Sequence, residues 1–271
     1  MKSRLIVAAI GIPIVYLLLW IEWNRSLLFA VLVAIAVSIA VLEFYEMMRE
    51  YRPYVPAGLL AVGLTPLLAW RGFEPGIFAG MLIAIPLTMI FALLSAERQD
   101  QAASVAMTLC GVGYIAIAGG LIVVLRASPH GFDLVLLMLA GIWATDTGAF
   151  LVGKSIGRHK LAPRISPGKT IEGFVGGSLL GVVVIWYGHF LTGREGSAEH
   201  WLSGREALVI GIAIAISTPV GDLFESMLKR SVGVKDSGRL LGDHGGMLDR
   251  LDALFVAVPV MYLACFLVGV L

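Results

Sequence analysis

The stretch EALVIGIAIAISTPVGDLFESMLKR, Glu206 to Arg230, decides the fold. Residues 206–228 form an apolar run long enough to cross a bilayer as a helix, yet Asp222 and Glu225 stand inside it. An ionised side chain in hydrocarbon costs at least a few kcal/mol, so a carboxylate there marks a functional site by default. The run is a membrane span that carries chemistry. Pro219 removes one backbone donor just upstream of Asp222, which kinks the helix and opens its backbone.

The remainder of the chain has the same character. Of 271 residues, 58% are hydrophobic and 14% charged, with a mean hydropathy of +0.89, well beyond the range of a soluble domain. Apolar runs can be read at 4–20, 27–45, 57–70, 76–95, 102–125, 133–153, 171–192, 206–228 and 251–271, each approaching the roughly 17–25 residues a span needs. The expectation is an all-α, polytopic integral membrane protein of about nine transmembrane helices. The run at 57–70 is the shortest, and it reads equally as a re-entrant or tilted hairpin with its neighbour. The basic, apolar N-terminus lacks a small-residue cleavage site, so the first run is read as a retained span.

Lys and Arg set the orientation. Under nine spans, fifteen of the twenty fall on one side, which the positive-inside rule assigns to the cytoplasm. The N-terminus is then cytoplasmic and the C-terminus outside, periplasmic in an inner cell membrane. Ten of the fifteen crowd into two cytoplasmic loops, 154–170 and 229–250, far more than orientation requires. Such a surface suits an anionic partner. No feature suggests nucleic acid. The chain divides into an N-terminal scaffold, 1–130, and a C-terminal catalytic region, 131–271. Cys110 and Cys265 lie in apolar runs and are read as buried packing residues.

A second buried carboxylate, Asp146, stands in GIWATDTGAFLVG. Asp146 and Asp222 are each placed about 10 Å in from the inner surface, by the helical rise. Asp222, Glu225, Ser226 and Lys229 share one helix face. Asp249 and Asp252, three apart at the start of the last span, share another, and Glu172 opens the seventh. Carboxylates gathered beneath positive loops need a cation between them, and Mg²⁺, bound by carboxylate oxygens together with substrate phosphates, is the expected one. The glycines Gly173, Gly177 and Gly181 follow a small-xxx-small pattern that lets a neighbouring helix approach.

The segment SPGKTIEG, Ser166 to Gly173, ends like a P-loop. Pro163 stands where that loop needs its first glycine, and no strand precedes it. A P-loop is therefore set aside. The run SMLKRSVGVKDSGRLLGDHGGMLDRLDAL, Ser226 to Leu254, instead resembles the signature of phosphatidate cytidylyltransferases through Ser226, Lys229, Arg230, Lys235, Asp236, His244, Gly245, Gly246, Asp249, Arg250 and Asp252. WATDTGAFLVGKSIG and SPGKTIEGFVGG look like further segments of that family. The resemblance implies transfer of CMP from CTP to phosphatidate, giving CDP-diacylglycerol and pyrophosphate. It implies Asp222 and Asp249 as the leading metal ligands, with Asp146 and Asp252 as further ligands or supporting groups. Lys229 and Arg250 would act at the reacting phosphates, and Lys169, Ser226, Arg230, Lys235, Arg239 and His244 would bind substrate. A second cation and a homodimer are also compatible with it. The main competitor from another class is an ion-coupled transporter, which predicts carboxylates at the midplane and inverted repeats; neither is visible here.

Overall fold

The structure, a computed structural model, describes residues 27–72, 78–95, 100–192, 201–238 and 245–271. The first expected span, 4–20, lies outside the described residues, as do Arg239 and His244. Eight α-helices follow in chain order: α1 Leu27–Met47, α2 Val55–Trp70, α3 Ala79–Leu94, α4 Gln101–Ala127, α5 Gly131–Ile156, α6 Ile171–Thr192, α7 Gly204–Ser231 and α8 Leu248–Leu267. Six of them are long and apolar enough to cross a membrane, while α2 and α3 are shorter. Each of these two has 16 residues and an internal proline, Pro66 or Pro86. At the helical rise they reach about 24 Å, short of the roughly 30 Å hydrocarbon core. The multi-pass character expected from the sequence is present; a count of nine is not established.

One element departs from an all-helical body. Residues 160–170, read from the sequence as loop, form an antiparallel pair of strands, β1 Lys160–Ala162 and β2 Ser166–Thr170, with Lys160 opposite Thr170 and Ala162 opposite Ser166. Cys265 is buried as expected, but Cys110 is exposed. Its span is apolar on the outward face too, because lipid accepts what water would not.

Most of the buried apolar side chains form one large core, with a smaller separate cluster of Ala30, Ala69 and Val123 between α1, α2 and α4. Tyr114 of α4 sits at a crossing point: its ring centroid lies 6.4 Å from Phe44 of α1, 5.2 Å from Phe224 of α7 and 5.1 Å from Phe255 of α8. Tyr45 Oη donates to the Thr108 carbonyl at 2.8 Å, and the Tyr54 amide donates to Thr108 Oγ1 at 2.7 Å. These bonds tie the end of α1 and the start of α2 to α4.

Among the described residues, the most extensively packed helix pair is α5 with α6. A Cβ on Gly148 would lie 3.0 Å from the Gly177 Cα, and one on Gly173 would lie 2.7 Å from the Ala149 carbonyl oxygen. Backbones that close admit no side chain, so the small-residue row is a packing seam, as its spacing predicts. The outer face of α6, with Leu179, Val183, Tyr187 and Phe190, is exposed and apolar, which suits lipid contact. The seam brings the hairpin between these helices against α7.

Gly177→Val should wedge this seam apart, since its Cβ would press on the Thr145 carbonyl and the Ala149 amide. Overpacking of this kind costs about 1–3 kcal/mol. A lowered thermal midpoint in detergent is expected, against an unchanged one for Val175→Ala on the exposed face.

Candidate active site

The hairpin is built to aim a lysine. Glu172, in the first turn of α6, accepts from the Arg158 amide at 3.0 Å and the His159 amide at 3.2 Å, and its Oε1 lies 2.6 Å from His159 Nδ1. It is thus committed to the hairpin base and does not join the other carboxylates, contrary to the expectation from its position at the rim. Thr170 Oγ1 accepts from the Gly173 amide at 3.1 Å and closes the turn into α6. Between these fixed points β2 points Lys169 at α7, where its Nζ lies 2.6 Å from Asp222 Oδ2.

Lys169 and Asp222 line a cavity of about 400 Å³. Asp146 and Lys154 of α5 complete its charged lining, and Phe150, Leu161, Phe174 and Pro219 supply apolar walls. The kink-forming Pro219 therefore stands in the wall of the site. Ser226 Oγ donates to the other oxygen of Asp222 at 3.3 Å. Asp252, on α8, lies within electrostatic reach of both Asp222 and Asp146, so three carboxylates gather where the Lys169 ammonium is already paired with Asp222.

A second charged cluster lies one turn further along α7. Glu225 is almost fully buried, 1% exposed, and Lys229 Nζ sits 2.5 Å from its Oε2 as a charge contact. The same ammonium donates to Asp249 Oδ1 at 2.6 Å. Asp249 Oδ2 accepts from the Ser237 amide at 3.0 Å, Ser237 Oγ at 2.9 Å and the Gly246 amide at 2.8 Å. Asp249 thereby holds both ends of the described part of the loop between α7 and α8. Asp249 bonds Lys229 directly, whereas Asp252, on the same helix, lies between the two clusters, within electrostatic reach of Asp222 and Asp146 and of Glu225 and Lys229.

The other residues singled out from the sequence occupy the rim. Arg230 Nε donates to the Ile165 carbonyl at 3.5 Å and its Nη1 to the Val234 carbonyl at 3.3 Å, which links the hairpin turn to the loop. Lys235 and Arg250 are exposed. One acidic residue escaped the sequence reading. Glu43, near the end of α1, accepts from the Leu248 amide at 2.8 Å, and the rule that flags Asp146 and Asp222 as carboxylates in an apolar run applies equally to it.

Among the described residues, no three His, Cys, Asp or Glu side chains converge closely enough to enclose a metal ion. The donor set nevertheless fits a hard cation of the Mg²⁺ kind, which takes one or two carboxylates and fills its other positions with water and phosphate oxygens. The Asp146, Asp222 and Asp252 carboxylates, gathered where Lys169 is already paired, offer oxygen donors of the kind such a cation takes.

The model of the cytidylyltransferase family matches residues 2–268. A phosphatidate cytidylyltransferase of Staphylococcus haemolyticus (strain JCSC1435) is 32% identical over 264 residues, covering 96% of this chain and 97% of its own. One of Staphylococcus aureus (strain COL) is 33% identical over 272 residues, with the same two coverages.

The buried triad of Glu225, Lys229 and Asp249 yields a stability test. Lys229→Ala leaves two carboxylates facing each other without a cation, and breaking a buried pair this way costs about 3–5 kcal/mol. Adding Glu225→Gln should recover part of the lost thermal midpoint. A single variant as stable as the parent would show that the triad contributes nothing to holding α7 and α8 together.

Proposed function

The chain belongs to the cytidylyltransferase family, and from that premise we infer that it transfers a cytidylyl group from CTP to phosphatidate, giving CDP-diacylglycerol and pyrophosphate. The observation that carries the reading to a place in the molecule is Lys169 on Asp222, in a cavity with apolar walls and a charged rim. A phospholipid whose phosphate must meet a water-soluble nucleotide needs both kinds of surface.

A phosphate oxygen of phosphatidate attacks the α-phosphorus of CTP. The bond from that phosphorus to the bridging oxygen of the β-phosphate breaks, and pyrophosphate leaves with the electron pair. Both reactants are anions, so the barrier is chiefly one of repulsion and alignment. Lys169 and Lys154 supply positive charge within the cavity, and an entering phosphate competes with Asp222 for the Lys169 ammonium. Arg230, Lys235 and Arg250, at the mouth, offer the triphosphate its contacts. Lys229, held at depth by Glu225 and Asp249, is the fixed charge against which the leaving phosphates are aligned.

Asp222 and Asp249 are the proposed metal ligands, supported by Asp146 and Asp252 beside Asp222. Mg²⁺ bound there would neutralise phosphate charge and polarise the α-phosphoryl oxygen. Two carboxylate clusters, each carrying its own lysine, are compatible with a second cation. The bias of Lys and Arg supports a site on the cytoplasmic face. A cysteine at position 160, on the hairpin, should then react with impermeant reagents only when the cytoplasmic face is open to them; labelling from outside intact cells would reverse the orientation.

The activity is tested with purified protein in detergent, phosphatidate and labelled CTP, with and without a chelator. Labelled lipid should form with Mg²⁺ and cease in excess EDTA. Undiminished labelling in EDTA would remove the cation from the mechanism, and no labelling under any divalent ion would remove the activity.

A further inference from the structure

Helix α8 begins without a cap of its own. Its N-cap residue is Met247, whose side chain makes no capping bond, yet a helix start leaves amides that need acceptors and favours negative charge. The acceptor comes from α1, 205 residues away in sequence: Glu43 Oε2 takes the Leu248 amide at 2.8 Å. The same oxygen lies 3.4 Å from Ser237 Oγ, whose proton is shared with Asp249 Oδ2 at 2.9 Å. Two carboxylates from distant elements therefore converge on one serine. Between them they fix the residues that flank the signature loop.

The loop is moulded to Glu43. A Cβ at Gly238 would lie 2.5 Å from Glu43 Oε1, and a Cβ at Gly246 would press on Oε2 and on Ser237 Oγ. Only glycine permits this approach at the two positions. Glu43 Oε1 is buried without a hydrogen-bond partner among the described residues, and an unsatisfied buried acceptor disfavours the folded state. An apolar residue in its place would avoid that cost but would lose the bonds that Oε2 makes.

We propose that Glu43 is a positioning residue for cytidylyl transfer: it fixes the start of α8 and, through Ser237, the Asp249 carboxylate that holds Lys229. This rests on the activity inferred above. Glu43 acts through its neighbours on the reacting groups, and what it supplies is reach and an acceptor oxygen. Charge is secondary, since both of its partners are neutral donors.

That distinction sets the test. Glu43→Gln keeps the reach and an acceptor oxygen but loses the charge, whereas Glu43→Asp keeps the charge and loses a methylene of reach. Glu43→Ala loses both. Each is purified at parental yield and assayed for labelled lipid, and amide hydrogen exchange is followed at Ser237, Gly246 and Leu248. The Asp and Ala variants should lose kcat by about 10- to 100-fold, the scale of a small misplacement of reacting groups, with faster exchange at the three amides and none in α2 to α4. The Gln variant should stay within about threefold of the parent in both readouts. Parental kcat in Glu43→Ala, or faster exchange without loss of kcat, would overturn the proposal. A rank order with Asp active and Gln inactive would overturn it too, by making charge the requirement. Should Glu43→Ala fail to fold, the Asp and Gln pair still decides. An inactive parent would refute the inferred activity instead, and the exchange data would still report whether Glu43 holds the loop.

Discussion

Carboxylates inside a membrane protein need positive charge or hydrogen-bond donors, and among the described residues two lysines supply the charge for Asp222, Glu225 and Asp249. Lys169 comes from a hairpin and Lys229 from a helix, and each is spent on carboxylates of α7 or α8. Neither arrangement would survive in isolation. Desolvating a carboxylate costs several kcal/mol, recovered only where geometry and further hydrogen bonds are good. Asp249, with a lysine, two amides and a hydroxyl around it, meets that condition. Asp222, with one lysine and one serine, is more open at 37% side-chain exposure. The better-satisfied carboxylate also holds the loop between α7 and α8, and the more open one lines the cavity.

Packing delivers these charges to the same place. The glycine seam between α5 and α6 brings two backbones together, and the hairpin that joins those helices is pressed towards α7 as a result. Glu172 spends its charge on the hairpin base, so the strand presents Lys169 at a fixed height. On the other side, Tyr114 and Glu43 carry the order of the N-terminal helices into α7 and α8. Helices outside the signature segments read from the sequence thus pack against α7 and α8, which carry the site.

Much of this was legible in the sequence, for physical reasons that can be named. Apolar runs of bilayer length reveal helices because no other local structure satisfies a backbone in lipid. Asp146 and Asp222 stand out because hydrocarbon makes every ionisable group conspicuous. The hairpin was hidden, since residues such as Ser166, Pro167 and Gly168 have little strand preference and are held by their partner strand and by Glu172. Spacing alone placed Asp249 and Asp252 together, but Asp249 bonds the Lys229 ammonium directly while Asp252, one turn on, lies within electrostatic reach of Asp222 and Asp146 as well as of Lys229. Glu43 escaped the sequence reading although it too is a carboxylate in an apolar run. Its partners were hidden, because a contact across 205 residues leaves no local pattern.

The central claim is that the Asp222 carboxylate binds the cation on which transfer depends, so the most direct measurement is turnover per folded molecule across a magnesium titration. Asp222→Asn keeps the side-chain shape and the acceptor for Ser226 while removing the charge that a hard cation needs. Turnover should nearly vanish and should not return at high magnesium or high CTP. Parental turnover with the parental magnesium dependence would contradict the claim and leave Asp222 as the partner of Lys169 alone.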